Sequence, residues 1–229
     1  MVAVIGADGA GKSASAQELC TWLSWKLKAR CFYMGSQQPS LVSRLLHASF
    51  RMARKAYRTW SGFAGEKRMT SNVLCRFQGL LCNLYRLSVG QDRYRRYIRA
   101  RQQAAQGTII LCDRYPLAAI YEVMKGRPMD GPHITVEAGQ GVDRITGALS
   151  GMERAIYRKI RPPDRIFALH VSPEVSQRRK PDHDPEIIEA KSEALEKMER
   201  RGLHVVDVDA DQPFEQVLLQ IKAAMWESL

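Results

Sequence analysis

The sequence predicts an α/β fold in which a parallel sheet of about five strands is flanked by helices. Short apolar runs rich in β-branched residues alternate with stretches of helical periodicity along the 229 residues. Residues 108–112 form a continuous apolar run, which is typical of a strand buried on both faces of a parallel sheet. Residues 1–5 form a similar run that leads directly into a glycine-rich loop and then into a helical pattern, the order expected of a phosphate-binding unit.

The loop after the first strand reads GADGAGKS over residues 6–13 and fits the pattern G-x-x-x-x-G-K-[ST]. Glycines let such a loop fold around phosphates, so that backbone N–H groups and the N-terminus of the next helix face the anion. We expect Lys12 to reach the β- and γ-phosphates and the Ser13 hydroxyl to hold Mg²⁺. The motif predicts a P-loop NTPase fold with ATP and Mg²⁺ as cofactors. The residues expected to bind the nucleotide are Asp8, Gly9, Ala10, Gly11, Lys12 and Ser13.

Periodicity and start and stop signals predict the remaining elements. The first half is predicted to contain a helix over 14–29, a strand over 31–34, a helix over 41–60 and two further helices over 69–87 and 92–105. Ser150 with Glu153 fits a capping box that opens a helix ending near residue 160. Ser172 followed by Pro173 fits the start of another helix. The other predicted elements are a long loop over 127–147, strands over 165–171 and 203–208, a helix over 186–201 and a C-terminal helix from Pro213. We expect one domain over 1–229.

A P-loop needs an acidic partner at the end of a neighbouring buried strand, where it can serve the magnesium ion. Asp113 has this place, because it directly follows the apolar run over 108–112. Arg114 comes next and offers a planar fork that suits a pair of phosphate oxygens. These two residues are therefore candidates for metal binding and for phosphate binding, respectively.

A second basic cluster, at residues 178–180, precedes a stretch rich in Pro and Asp between two predicted helices. Phosphoryl transfer requires cations over the migrating group, and a lid often supplies them while it excludes water. The P-loop has no arginine of its own between Asp8 and Ala10. We therefore expect a lid at about 178–190 that provides the missing positive charge.

The formal net charge is +11, and residues 41–106 carry fourteen Lys or Arg against two acidic residues. Such a stretch can follow a nucleic-acid backbone or a membrane surface, or line a cleft for polyphosphorylated ligands, although solvated helix faces explain most of it. We expect neither nucleic acid nor a membrane as a partner. The five cysteines are scattered without a CxxC pair, and the first apolar run ends after five residues. These features predict reduced thiols and a cytoplasmic location.

Taken together, several segments resemble the thymidylate kinase family of nucleoside monophosphate kinases. The P-loop is similar to that family's G-x-[DE]-G-x-G-K-[ST], and Asp113-Arg114-Tyr115 matches its Asp-Arg-Tyr/Phe motif. Residues 163–179 resemble the family's strand and entry to the lid, and residues 209–213 resemble its last loop, near adenine. The resemblance spans nearly the whole chain.

The resemblance implies roles for particular residues. Asp113 would serve the magnesium site, and the acceptor would contact Asp8 through its sugar and Arg114 through its phosphate. Arg179 would cover the transferring phosphoryl group. Arg93 stands where the family places an arginine that reads the edge of the acceptor base. The resemblance also implies a homodimer formed through helices near the basic middle segment.

The chain departs from the family in the half that would bind the acceptor. The stretch after the second strand reads GSQQP over 35–39 instead of an Arg-Glu-Pro-Gly-Gly-Thr-like sequence. Val89 stands about one helical turn before Arg93, where the family has a Phe that stacks on the base, and a valine has no aromatic face.

Three interpretations of the function therefore stay open. The first is an ATP-dependent kinase acting on a nucleoside monophosphate or a similar phosphorylated small molecule, with dTMP itself undecided. The second is a kinase of the same fold with a non-nucleotide acceptor. The third is a non-catalytic nucleotide-binding module that holds a partner through its basic helices.

Overall fold

The computed structural model describes residues 1–36, 39–63, 68–124, 133–134 and 144–227. Five strands form one all-parallel sheet in the order β2-β3-β1-β4-β5. The strands are β1 (Val2–Gly6), β2 (Ala29–Tyr33), β3 (Ile109–Asp113), β4 (Arg165–His170) and β5 (Val205–Asp209). The helices are α1 (Lys12–Leu23), α2 (Leu41–Phe63), α3 (Arg68–Ala105), α4 (Ala118–Met124), α5 (Arg144–Arg158), α6 (Pro173–Arg179), α7 (Pro185–Lys197) and α8 (Phe214–Trp226). The predicted α/β class with a parallel sheet of about five strands is confirmed.

The chain forms two compact units. The first, here called the sheet unit, comprises Met1–Gly35, Arg95–Gly131 and Ile160–Leu229. The second, here called the helical unit, comprises Ser36–Tyr94 and Pro132–Lys159. The expectation of a single domain over 1–229 stays a prediction.

The core of the sheet unit forms around its central strand, β1. Ala3 and Val4 on this strand are fully buried, and Val4 pairs with Asp113 on β3 and with Phe167 on β4. Helix α8 buries a stripe of residues at intervals of four, which is the spacing that keeps side chains on one face of a helix. The stripe consists of Val217, Ile221 and Met225. Because all five strands are parallel, their carboxyl ends lie along one edge of the sheet, where ligands bind in folds of this class.

The helical unit contains α2, most of α3, and α5. The sequence predicts two helices over 69–87 and 92–105, but the structure has the single helix α3 across both ranges. A lone glycine in a helix costs only about 1 kcal/mol relative to alanine, so Gly90 does not end it. Gly90 faces the ring of Tyr157, where an added Cβ would lie 3.3 Å from Cε2.

The predicted capping box at Ser150 and Glu153 is wrong, because both residues lie inside α5. Glu153 is fully buried, and its carboxylate accepts hydrogen bonds from the backbone N–H groups of His133 and Ile134. The Ser150 hydroxyl donates to the carbonyl of Ile134 at 2.9 Å. The two side chains thus bind the segment 133–134 to α5. Most of the predicted loop over 127–147 lies outside the described residues.

Among the described residues, no helix is both long enough and apolar enough to span a bilayer.

Candidate functional site

The loop between β1 and α1 has the backbone conformation that its glycines permit. Gly9 and Gly11 have φ angles of 87° and 86°, in the left-handed region that L side chains rarely adopt. A Cβ on Gly9 would lie 2.9 Å from the carbonyl oxygen of Ser176, so a side chain there would also collide with α6. Both the turn and the close approach of α6 therefore require glycine at this position.

Lys12 is the first residue of α1, and only 9 % of its side-chain surface is exposed. Its ammonium donates a hydrogen bond to the carbonyl of Ala7 at 2.5 Å and lies 3.7 Å from Oδ1 of Asp8. Burial lowers the pKa of Lys12 to about 8, and the nearby Asp8 carboxylate opposes this shift. The ammonium is thus held inside the loop that would surround the phosphates.

Ser13 and Asp113 meet at the carboxyl edge of the sheet. β3 pairs with β1, which brings the end of β3 beside the loop, and Ser13 Oγ donates to Asp113 Oδ2 at 2.6 Å. The other carboxylate oxygen, Asp113 Oδ1, is buried and has no hydrogen-bond partner among the described residues. A hydroxyl and a carboxylate with an available buried oxygen fit Mg²⁺, which takes one or two carboxylates and completes its shell with water and phosphate oxygens.

Arg114 follows Asp113 with a φ angle of 57°, the one non-glycine residue in the left-handed region among those described. Such a conformation costs about 1–3 kcal/mol and concentrates at functional sites. The guanidinium is partly exposed, and its Nη2 atom lies 3.9 Å from Asp8 Oδ1. The unusual backbone therefore directs a cation to the P-loop.

The carboxylate of Asp8 forms ion pairs with several of the cations at the P-loop. It contacts Lys12, Arg114 and Lys191, and His183 Nδ1 lies 3.4 Å from Oδ2. Burial alone would raise the pKa of Asp8. The hydrogen bond from Lys191 and the charges of Lys12, Lys191 and Arg114 outweigh that effect and lower the pKa to about 2.

The segment that contains the predicted lid lies against the P-loop. Helix α6 begins at the Ser172 N-cap, as predicted, and ends at Arg179, after which Asp184 caps α7. Arg179 Nη1 donates to the carbonyl oxygens of Gly9, at 3.3 Å, and Ala210, at 2.9 Å. The Ser176 hydroxyl also donates to the carbonyl of Asp8.

The sheet unit thus brings most of the residues predicted for the site into one cluster of contacts. They are Asp8, Gly9, Ala10, Gly11, Lys12, Ser13, Asp113, Arg114 and Arg179. Their catalytic, metal-binding and acceptor-binding roles stay predictions.

Arg93, predicted to read the acceptor base, belongs to the helical unit. It is almost completely buried there, and its Nη1 atom donates to the hydroxyl of Tyr157 at 2.7 Å. Val89, one turn before it, is also buried. The structure therefore gives Arg93 a partner on α5, and its role in acceptor binding stays a prediction.

Three residues that the sequence did not single out contact Asp8. They are Ser176, His183 and Lys191, which lie 168 to 183 positions away along the chain. No local motif links such distant positions. The one usable signal is helical spacing, since Lys191 lies three residues after the buried Ile188 and four before the buried Leu195, at the edge of the packed face of α7.

A cavity of about 560 Å³ adjoins the P-loop on the side of β4 and β5. It is lined by Ala7, His170, Ser172, Asp209 and Asp211, among others. Asp211 Oδ1 accepts hydrogen bonds from the N–H and the hydroxyl of Ser172, which ties the loop after β5 to the start of α6. A volume of this size is typical of small-molecule sites.

No protein-family model matches this chain. It is similar to two proteins of Escherichia coli strain K12. It is 26% identical over 232 residues to the uncharacterized ATP-binding protein YghR, covering 98% of this chain and 86% of that protein. It is 23% identical over 228 residues to the uncharacterized ATP-binding protein YghS, covering 95% of this chain and 89% of that protein. The similarity therefore extends over nearly the full length of each pair.

Proposed function

We propose that this chain binds Mg²⁺-ATP at its P-loop and transfers the γ-phosphoryl group to the phosphate of a small molecule, most simply a nucleoside monophosphate. The similar proteins YghR and YghS are described as ATP-binding, which supports the nucleotide half of this proposal. The observation that carries it is the contact between Ser13 and Asp113 beside Lys12, with Asp113 Oδ1 buried and available to a cation.

The charged residues of the sheet unit have the chemistry that phosphoryl transfer requires. Lys12 would bind the β- and γ-phosphates, and Arg179 would stabilise the charge on the migrating group. Ser13 and Asp113 would hold Mg²⁺, which when bound neutralises phosphate charge. The cavity beside Ala7 has the volume for the nucleoside part of the donor.

The transfer itself needs little covalent help from the protein. An oxygen of the acceptor's phosphate forms a bond to the γ-phosphorus as the bond from that phosphorus to the β–γ bridging oxygen breaks, and ADP leaves. The acceptor oxygen is already ionised, so no general base is required. Arg114 would hold the acceptor's phosphate in line for this attack, because its fork can bind two phosphate oxygens at once.

A kinase with a non-nucleotide phosphorylated acceptor is the second candidate. The observation that favours it is the burial of Arg93 against Tyr157 and of Val89 beside it, in a position where the thymidylate kinase-like pattern has groups for an acceptor base. Both candidates share the same donor site and differ only in the acceptor.

A coupled assay of ADP release with Mg²⁺-ATP tests the proposal. The acceptor panel would hold nucleoside monophosphates, including dTMP, together with phosphorylated sugars. Lys12→Ala should abolish turnover, whereas Lys26→Ala, which alters an exposed lysine in the turn after α1, should leave it unchanged. Turnover with a nucleotide supports the first candidate, and turnover with a sugar phosphate alone supports the second. Tight ATP binding without turnover on any acceptor would contradict the catalytic proposal and favour a nucleotide-binding module.

A further inference from the structure

Lys191 is much less exposed than Lys197, the other lysine of α7. It lies in the middle of α7, its side chain is 13 % exposed, and its ammonium donates to Asp8 Oδ2. Lys197, at the end of the same helix, is 63 % exposed and pairs with the neighbouring Glu193. Fixing a lysine side chain costs rotamer entropy, so the placement of Lys191 requires a compensating interaction.

Helix α7 also packs through apolar residues and a cap. Ile188, Ala194 and Leu195 are almost fully buried, and Asp184 accepts a hydrogen bond from the Glu186 N–H at the start of the helix. The ion pair is a separate contact of the ammonium alone, since Lys191 and Asp8 are 13 % and 7 % exposed and meet at the P-loop. Apolar burial and the cap thus contribute to docking α7 independently of the ammonium, which has further N–H donors for a ligand.

The charge balance around Asp8 points to a polyanion. Lys12, Arg114 and Lys191 all lie within 4.0 Å of one carboxylate, and Arg179 contacts the same loop through Gly9. Even with Asp113, whose charge also acts on Lys12, two carboxylates do not neutralise these three cations. The excess positive charge lies where backbone N–H groups of a P-loop would face phosphates.

Asp8 also fixes the relative placement of the two lysines. Lys12 approaches Oδ1 and Lys191 donates to Oδ2, so one carboxylate holds both ammonium groups at the same loop. An ammonium has three N–H donors, and it can keep its bond to Asp8 while it donates to a phosphate oxygen. We infer that Lys191 is a second phosphate-contacting lysine of the nucleotide site, positioned by Asp8. This inference rests on the proposed binding of ATP.

Titration calorimetry with Mg²⁺-ATP and with adenosine tests the inference, using the full chain. Lys191→Met should weaken ATP binding about tenfold or more, since it removes one charge-assisted hydrogen bond, and should leave adenosine binding unchanged. Lys191→Arg, which keeps the charge, should retain ATP affinity within about threefold. Lys197→Met is the matched control on the same helix and should behave as the wild type. Lys191→Gln provides a second neutral variant if Lys191→Met does not fold.

A purely structural role for Lys191 predicts a different pattern. The neutral variants would then bind ATP as tightly as the wild type, or would lose ATP and adenosine binding in equal measure together with a lower Tm, and either result would overturn the inference. Wild-type ATP binding without phosphoryl transfer would remove the proposed kinase activity and leave the role of Lys191 standing. Absence of ATP binding by the wild type would overturn both.

Discussion

Both units bury charged side chains, but the partners of those side chains differ. In the helical unit the Glu153 carboxylate accepts backbone N–H groups from a neighbouring segment, and Arg93 donates to Tyr157. In the sheet unit Asp8 and Asp113 are surrounded by cations and a hydroxyl at a glycine-rich loop, and Asp113 Oδ1 is left available. Comparing the carboxylates of Glu153 and Asp113 indicates that a buried carboxylate is a candidate ligand site where one of its oxygens accepts no hydrogen bond from the described residues.

The largest expected effect is a loss of turnover on substitution of Arg179, an exposed residue that contacts the P-loop of the sheet unit. Arg179→Ala should lower kcat about a thousandfold or more, because it removes the arginine that we propose stabilises the charge on the migrating phosphoryl group. Steady-state ADP release measures the effect. Arg201→Ala, at an exposed arginine after α7, is the control and should keep wild-type turnover. A loss below about tenfold for Arg179→Ala would remove this residue from the mechanism.

Asp113→Asn is expected to lower turnover about a hundredfold to a thousandfold. The amide preserves the shape of the side chain but removes the negative charge that would hold Mg²⁺ beside Ser13. Raising the magnesium concentration should restore part of the activity of this variant and have little effect on the wild type. The same activity at all magnesium concentrations would show that Asp113 has no part in metal binding.

The contrasting prediction concerns the helical unit. Glu153→Ala leaves the backbone N–H groups of His133 and Ile134 without their acceptor, and should lower the free energy of unfolding by about 3 kcal/mol. Urea unfolding measures this loss. Met152→Ala, at an exposed neighbour on α5, should change stability by no more than about 0.5 kcal/mol. A tenfold change in the ATP affinity of the folded Glu153→Ala variant would contradict the assignment of a purely structural role to Glu153.

The smallest effect is a pH dependence of stability that Asp8 confers on the sheet unit. Because its pKa falls from 3.8 to about 2 on folding, the ionised carboxylate stabilises the folded chain above pH 3.8. That contribution, about 2 kcal/mol, is lost as the pH falls from about 4 to about 2. Urea unfolding across this range should show a steeper loss for the wild type than for Asp8→Asn. Asp182→Asn, an exposed aspartate in the turn before α7, should follow the wild type.

Parts of the fold and site that depend on residues close together in the sequence could be predicted from it. The P-loop, the Ser172 N-cap and the place of Asp113 at the end of a buried strand all follow from local patterns. Features that depend on distant segments could not. Glu153 fits a capping box by spacing, yet its carboxylate accepts hydrogen bonds from the backbone N–H groups of residues 133–134, some twenty positions earlier.

The same limit applies to the cations around Asp8. Lys12 belongs to a recognisable motif, but Lys191 and His183 contact the same carboxylate from a helix and a turn about 180 positions away. Helical periodicity places Lys191 at the edge of a packed face and cannot name the residue opposite it. The two-helix prediction for 69–105 was wrong for a related reason, since the energetic cost of Gly90 is small and its neighbour Tyr157 is remote in sequence.

The left-handed backbone conformation at Arg114 means that selection for stability and selection for phosphate binding would favour different residues at this position. Selection for thermal endurance alone would favour glycine or asparagine at this position, because either relaxes a conformation that costs an arginine about 1–3 kcal/mol. Selection for a phosphate-binding fork beside Asp8 would keep the arginine. A library randomised at codon 114 and sorted separately for heat resistance and for ATP-dependent activity should therefore yield different residues. Recovery of arginine in the activity sort alone would show that function, at the expense of stability, maintains it.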